Sequence, residues 1–191
     1  MKYSKKELRQ RYRQIRSEVA KAQRIKESVA VCEHLFCTEA YQSAEVILSY
    51  LSYGSELRTE TLLEQAFREQ KILAAPRING NEMVFLQMDS DTVFEKNSYG
   101  ILEPVSGQKI LPEAYGKVLL VLPGLCFDRR NGRVGYGGGF YDRYVSAHRT
   151  KSNIKIVALA LSCQYYDGTI PMEAHDIRPD FVVFPYGIHA E

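Results

Sequence analysis

Two uninterrupted apolar runs constrain what this chain can fold into. Residues 117–122 read KVLLVL and residues 155–161 read KIVALAL. Neither alternates apolar with polar residues, so neither suits a strand with one wet face. Each is predicted as a strand buried on both sides, as in parallel sheets covered by helices. Pro123-Gly124 ends the first run, and a Pro-Gly pair marks a turn. Such strands require helices for both faces. Ser4-Lys5-Lys6-Glu7 has the form of a capping box, and Leu8, Tyr12, Ile15 and Val19 follow at helical spacing. A second helix is predicted over 22–36 with Ile25, Val29, Cys32 and Phe36 inward. Further helices are predicted over 59–70 and 139–148. Strands are predicted over 45–51, 71–75 (stopped by Pro76), 82–88 and 180–184. Strands alternating with helices indicate an α/β sandwich with a mainly parallel sheet.

The chain has 191 residues, 45% of them apolar and 25% charged, ordinary values for a globular protein. A chain of this size buries roughly 70% of its unfolded surface and needs no disulfide or metal to fold. No linker divides it, so one domain is expected. The net charge of +2 advertises neither a nucleic-acid nor a membrane partner, although residues 1–30 alone carry +7. No apolar stretch approaches the ~20 residues of a membrane span, and no apolar segment of an export signal follows the basic N-terminus. Cys32, Cys37, Cys126 and Cys163 form no C-x-x-C pair and no zinc pattern with the histidines. Three of them lie in or beside apolar stretches and read as small core residues, and reduced thiols point to the cytoplasm.

In α/β sheets, ligands bind at the carboxyl ends of strands. Residues 51–56, 123–128 and 162–164 are therefore candidate walls. The most informative segment is RVGYGGGFYDR at 133–143, with Gly135, Gly137, Gly138 and Gly139 inside it. Glycines let backbone N–H groups converge on an anion, and a following helix N-terminus adds positive charge. Arg133 and Arg143 flank the loop. Asp142 is a carboxylate suited to Mg²⁺ beside a phosphate site. A plain flexible turn and an RNA-reading strand are the competing readings, but three consecutive glycines make poor strand. At about 100° per residue, Lys5, Arg9 and Arg16 fall within about 40° of one another along one edge of the first helix's apolar stripe. There they would border a cleft opposite the glycine loop, whereas Lys6 and Arg11 point to solvent. Glu56 follows a predicted strand and could accept paired N–H donors from a heterocycle, or simply be a loop acid. Glu103 and His175 read more readily as structural.

Together these residues resemble a family. Lys5-x-x-Leu8-Arg9, Leu51-Ser52-x-x-x-Glu56, Gly100-Ile101-x-Glu103-Pro104, Pro123-Gly124-x-x-Phe127-Asp128, the 133–143 segment and Pro171-x-x-x-His175-Asp176 stand in the order seen in 5-formyltetrahydrofolate cyclo-ligases. These enzymes are also called 5,10-methenyltetrahydrofolate synthetases. The resemblance covers nearly the whole chain. It implies a single-domain, three-layer Rossmann-like α/β/α sandwich over residues 1–191. It implies conversion of 5-formyltetrahydrofolate and ATP to 5,10-methenyltetrahydrofolate, ADP and phosphate, with Mg²⁺.

Carried over by position, Lys5, Lys6, Glu7, Leu8 and Arg9 belong to the ATP site. So do Arg133, Val134, Gly135, Tyr136, Gly137, Gly138, Gly139, Phe140 and Tyr141. Leu51 and Glu56 become folate contacts, with Tyr136, Gly137, Gly138, Gly139 and Phe140 touching both substrates. Asp142 and Asp176 become the metal ligands, and Arg133 and Asp142 the catalytic pair. The expected partners are the folate and ATP alone, with no nucleic acid or membrane, and the expected state is a monomer. The chain departs from the family after its last strand, where Phe184-Pro185-Tyr186 replaces a frequent Thr-Glu pair. Two other classes remain open here: a kinase or ligase for another small molecule, and an RNA-binding module built on the basic first helix.

Overall fold

The structure is a computed structural model that describes residues 3–149 and 153–190. Its helices are α1 (Lys5–Glu18), α2 (Lys21–Phe36), α3 (Glu39–Gln42), α4 (Glu60–Arg68) and α5 (Phe140–His148). Its strands are β1 (Val46–Ser49), β2 (Ile72–Asn79), β3 (Glu82–Met88), β4 (Phe94–Lys96), β5 (Leu102–Pro104) and β6 (Val118–Leu122). They continue as β7 (Cys126–Asp128), β8 (Arg133–Val134), β9 (Ile154–Leu159), β10 (Tyr165–Tyr166), β11 (Phe181–Phe184) and β12 (Gly187–Ala190).

Seven strands form one sheet in the order β12-β11-β9-β6-β1-β2-β3. The five inner strands run parallel, and only the edge strands β12 and β3 are antiparallel. The apolar runs behave as their lack of alternation demands. Leu120 and Ile156 face one core, together with Tyr144 and Val145 of α5. Leu119, Val121 and Val157 face the other, together with Val31 and Leu35 of α2 and Leu62 of α4. The result is the three-layer α/β/α sandwich, with α5 on one face and α2, α3 and α4 on the other.

Helix α1 belongs to neither layer. Leu8 and Tyr12 pack with Leu125, Cys126, Val134 and Ile170 in a third cluster, which seats α1 on the small sheet β10-β7-β8. Its first turn is closed as the sequence predicts: the Glu7 N–H donates to Ser4 Oγ at 3.3 Å, and the Ser4 N–H donates to Glu7 Oε2 at 2.8 Å. Ser4→Ala is expected to lower Tm by roughly 2–4 °C, the effect of losing one cap in a chain of this size; a thermal melt checks it.

Two expectations need correction. On α2, Cys32 and Phe36 point inward as expected, but Ile25 and Val29 are 46% and 37% exposed, and Ser28, Val31 and Leu35 are buried instead. Two neighbouring stripes have helical spacing, and polar tethers select between them. Ser28 Oγ accepts the Arg58 N–H at 2.9 Å, and Glu27 accepts the Ser162 N–H at 2.8 Å and its hydroxyl at 2.7 Å. Strand β2 also does not stop at Pro76. It runs on to Asn79 paired with β3, where Pro76 stands opposite Phe85. The Phe85 carbonyl accepts from the Ile110 N–H on its other side at 2.9 Å. Pro76 therefore occupies a non-hydrogen-bonded pair, where its missing N–H costs nothing.

Candidate functional site

The strand order reverses direction between β1 and β6. From β1 the chain steps outward to β2 and β3; it then returns to the other side of β1 and proceeds through β6, β9 and β11. Carboxyl ends diverge at such a switch point and leave a crevice. Residues 50–56 leave β1 there, and Pro123-Gly124 leaves β6 there. Helix α1 lies over the opening, with its cationic edge turned inward.

The glycine segment closes the crevice from one side. Asp128 holds its base: Oδ1 accepts the N–H groups of Arg130 and Gly132 at 2.9 and 2.8 Å, and Oδ2 accepts that of Ile170 at 2.7 Å. Arg133, only 7% exposed, spends its guanidinium on the protein. It donates to Asp142 Oδ1 at 2.7 Å and to the Pro123 carbonyl at 3.3 Å. The Ile177 N–H donates to the same Asp142 oxygen at 2.9 Å. Gly137 has φ +103° and Gly139 φ +66°, values that L side chains resist. Gly139 thereby turns the chain into α5, whose first N–H groups have no partner within the helix. Arg9 faces this loop from α1. Its Nε donates to the Gly135 carbonyl at 3.0 Å, and a Cβ on Gly137 would come within 3.5 Å of its guanidinium.

Lys5, one turn earlier, is ion-paired with Asp176. Burial alone would raise the Asp176 carboxyl. The Lys5 ammonium and the Glu173 N–H outweigh that and hold it below its ordinary value. A cavity of about 470 Å³ opens beside this pair, between Ser4, Lys5, Pro171 and Glu173. Another, of about 490 Å³, lies near Lys117, Asn153 and Asp180 at the amino ends of the strands, away from the crevice.

The opposite end of the crevice is built around Glu56. Its Oε2 accepts the Tyr53 N–H at 2.9 Å, and its Oε1 accepts the Tyr136 hydroxyl. Burial pushes the Glu56 carboxyl above its ordinary value, against the lowering effect of Tyr136, Tyr53 and Arg16. Leu51 lies half-buried on the same loop.

The residues carried over by position thus have distinct environments. Gly135, Tyr136, Gly137, Gly138 and Gly139 form an exposed to half-exposed loop that Arg9 meets from α1. Phe140 and Tyr141 pack partly into the core beneath it. Leu8 and Val134 are fully buried and join α1 to β8, so their side chains support the site from behind. Glu7 closes the cap, and Lys6 is exposed. Glu103 is buried, accepting the Ile78 N–H at 3.3 Å and the Asn97 amide at 2.8 Å. It ties the β4–β5 hairpin to β2.

Among the described residues, no group of three or more His, Cys, Asp or Glu side chains could hold a metal. The backbone N–H of Ile177, the residue after Asp176, donates to Asp142, which brings the 171–177 loop against the start of α5. The side-chain ion pairs of the two aspartates fall on one oxygen each, Oδ1 of Asp142 and Oδ2 of Asp176. Magnesium is commonly held by one or two carboxylates with phosphate and water completing the shell, so the pair fits that ion.

The sequence compares accordingly. The model of the 5-formyltetrahydrofolate cyclo-ligase family matches residues 1–185. The chain belongs to this family. A cyclo-ligase of Haemophilus influenzae is 30% identical, covering 90% of this chain and 92% of its own. One from Mus musculus is 29% identical over 93% and 90%. The 5,10-methenyltetrahydrofolate synthetase of Aquifex aeolicus, solved by NMR, superposes with a TM-score of 0.79 at 27% identity, over 97% of this chain and 92% of that one. The cyclo-ligase fold expected from the sequence is the one observed. Among the described residues no helix is long and apolar enough to cross a membrane.

Proposed function

We propose that this chain converts 5-formyltetrahydrofolate and ATP to 5,10-methenyltetrahydrofolate, ADP and phosphate, acting as one domain over residues 1–191. The observation that carries this reading is the two-ended crevice at the switch point. One end presents a glycine loop, a helix N-terminus and the cations of α1 to a polyphosphate. The other presents a fixed carboxylate to a heterocycle's N–H groups. An RNA-binding role is disfavoured because Arg16 and Arg9 of the basic helix point into this crevice, where Arg16 is 5% exposed.

In the proposed reaction the formyl oxygen attacks the γ-phosphorus, and the bond to the β,γ-bridging oxygen breaks to release ADP. N10 then attacks the formyl carbon and loses its proton, and the C–O bond breaks to release phosphate as the ring closes. Such transfers ask the protein mainly for positioning and charge neutralisation. Arg9, the N–H groups of 137–141 and the N-terminus of α5 serve the phosphates. Arg133 fixes Asp142 and the base of the loop. Asp142 and Asp176 are the residues that would hold magnesium, whose charge, when bound, offsets that of the phosphates. Glu56 and Leu51 hold the folate. The four unpaired cysteines suit a reducing cytoplasm, and a monomer contains the whole crevice.

The test is to mix protein, 5-formyltetrahydrofolate, ATP and Mg²⁺ and follow the methenyl chromophore. Growth of absorbance that requires both ATP and Mg²⁺ is expected. ATP binding without any folate product would favour a kinase or ligase for another acceptor. Lys5→Ala and Arg9→Ala are each expected to raise the ATP KM about tenfold, roughly the value of one charge-assisted hydrogen bond. Unchanged ATP affinity in both variants would reduce this edge of α1 to a solvated face.

A further inference from the structure

Arg16 stands one helical turn beyond Tyr12 on α1, and the proposed reaction leaves it without a task. It is buried and makes contact with three elements at once. Its Nε donates to Ser55 Oγ at 3.1 Å, on the loop after β1. Its Nη1 donates to the Gly124 carbonyl at 3.3 Å, after β6, and to the Tyr136 hydroxyl at 2.6 Å, on the glycine loop. Its guanidinium also lies 5.5 Å from the centroid of the Tyr136 ring.

The direction of these bonds matters. Arginine stays charged and has no acceptor, so the Tyr136 oxygen must accept from it. The single proton of that hydroxyl is then committed to Glu56 Oε1. With the Tyr53 N–H on Oε2, both oxygens of the carboxylate are held in place. The other contacts of Arg16 are more replaceable. The Gly124 carbonyl also receives Gln164 Nε2, at 2.8 Å, and Ser55 can turn its hydroxyl elsewhere.

We propose that Arg16 is a positioning residue that sets folate specificity: through Tyr136 it fixes the Glu56 carboxylate as an oriented acceptor for the N–H groups of the substrate's heterocycle. The proposal rests on the reading of Glu56 as the folate acceptor. Arg16 does not touch the reacting atoms. Its effect is felt at the folate end and not at the phosphate end.

The experiment compares Arg16→Met, Arg16→Lys, Tyr136→Phe and the Arg16→Met/Tyr136→Phe double variant, measuring the KM for each substrate. Arg16→Met is expected to raise the folate KM about tenfold while the ATP KM stays within about twofold. The double variant should be no worse than the poorer single one, because the two residues act as one unit. Arg16→Lys keeps the charge but loses the planar fork and should fall between. It carries the test should Arg16→Met fail to fold.

A second readout is pH. The ionisable groups around Glu56 are Arg16 on α1, Tyr136 on the glycine loop, Tyr50 after β1 and Tyr141 on α5. Arg16 is the cation among them that favours the ionised carboxylate. Removing it should therefore move the acid limb of folate affinity to higher pH, and this shift should vanish in a Glu56→Gln background.

Equal rises in both KM values with a lower Tm would make Arg16 a structural staple and overturn the proposal. Additive effects with Tyr136→Phe would overturn it too. Wild type that turns over 5-formyltetrahydrofolate, with Arg16→Met unchanged, would remove Arg16's part alone. No turnover by wild type would overturn the functional reading beneath it.

Discussion

Asp142→Asn is expected to cut kcat about a thousandfold, roughly 4 kcal/mol of transition-state stabilisation, while the fold persists. Asparagine keeps an oxygen where the Ile177 N–H and Arg133 Nη2 now donate, at 2.9 and 2.7 Å. The loop geometry therefore has a substitute acceptor. What disappears is the negative charge that offsets buried Arg133 and on which the proposed magnesium site depends. The two losses act in the same place: an unbalanced Arg133 and a neutral amide leave the phosphates without their organised surroundings. Turnover measured across a magnesium titration, with a thermal melt alongside, checks this. Near-normal turnover at limiting Mg²⁺ would remove Asp142 from the metal site. A collapse of the melt would make its role structural.

Glu56→Gln should act at the other end of the crevice. A charged hydrogen-bond partner is worth about 1.5–3 kcal/mol, so the folate KM should rise roughly tenfold to a hundredfold, with the ATP KM within about twofold. The pH dependence fixes the sign. Burial raises the Glu56 carboxyl above the ordinary glutamate value. As pH falls through that raised value, the group protonates and ceases to be a double acceptor, so folate affinity weakens at a pH where an exposed glutamate would still be ionised. The glutamine variant should show a flat profile over the same range. Equal losses for both substrates would signal a folding defect instead.

Much of this arrangement could be read from the sequence because its physical causes are local. The doubly buried runs that became β6 and β9 have no face to offer water, so covering helices follow from them directly. The capping box at Ser4 and Glu7 fixed where α1 begins. Its helical period then put Lys5, Arg9 and Arg16 on one edge. The glycine cluster before α5 announced a backbone that must turn through positive φ. The limits are equally physical. The two- to four-residue strands β4, β5, β7, β8, β10 and β12 are too short to show a period. They exist because partners elsewhere in the chain pair with them. Asp128 looks like any loop acid until the Ile170 N–H, far along the chain, is seen to reach it. The rotation of α2 is not legible locally, because the choice between two neighbouring stripes depends on Ser28 and Glu27 finding Arg58 and Ser162. Arg16 lay on the predicted edge, but nothing local reveals that Tyr136 and Glu56 meet it there.

The central claim is that the crevice activates a formyl oxygen with ATP and then closes a ring. The most direct test uses 5-formyltetrahydrofolate carrying a heavy-oxygen label in the formyl group. The protein turns it over with ATP and Mg²⁺, and the phosphate and water are analysed by mass. The account predicts that the label appears in the released inorganic phosphate, one labelled oxygen for each methenyl product formed. Methenyl product formed with the label in water, and none in phosphate, would contradict it.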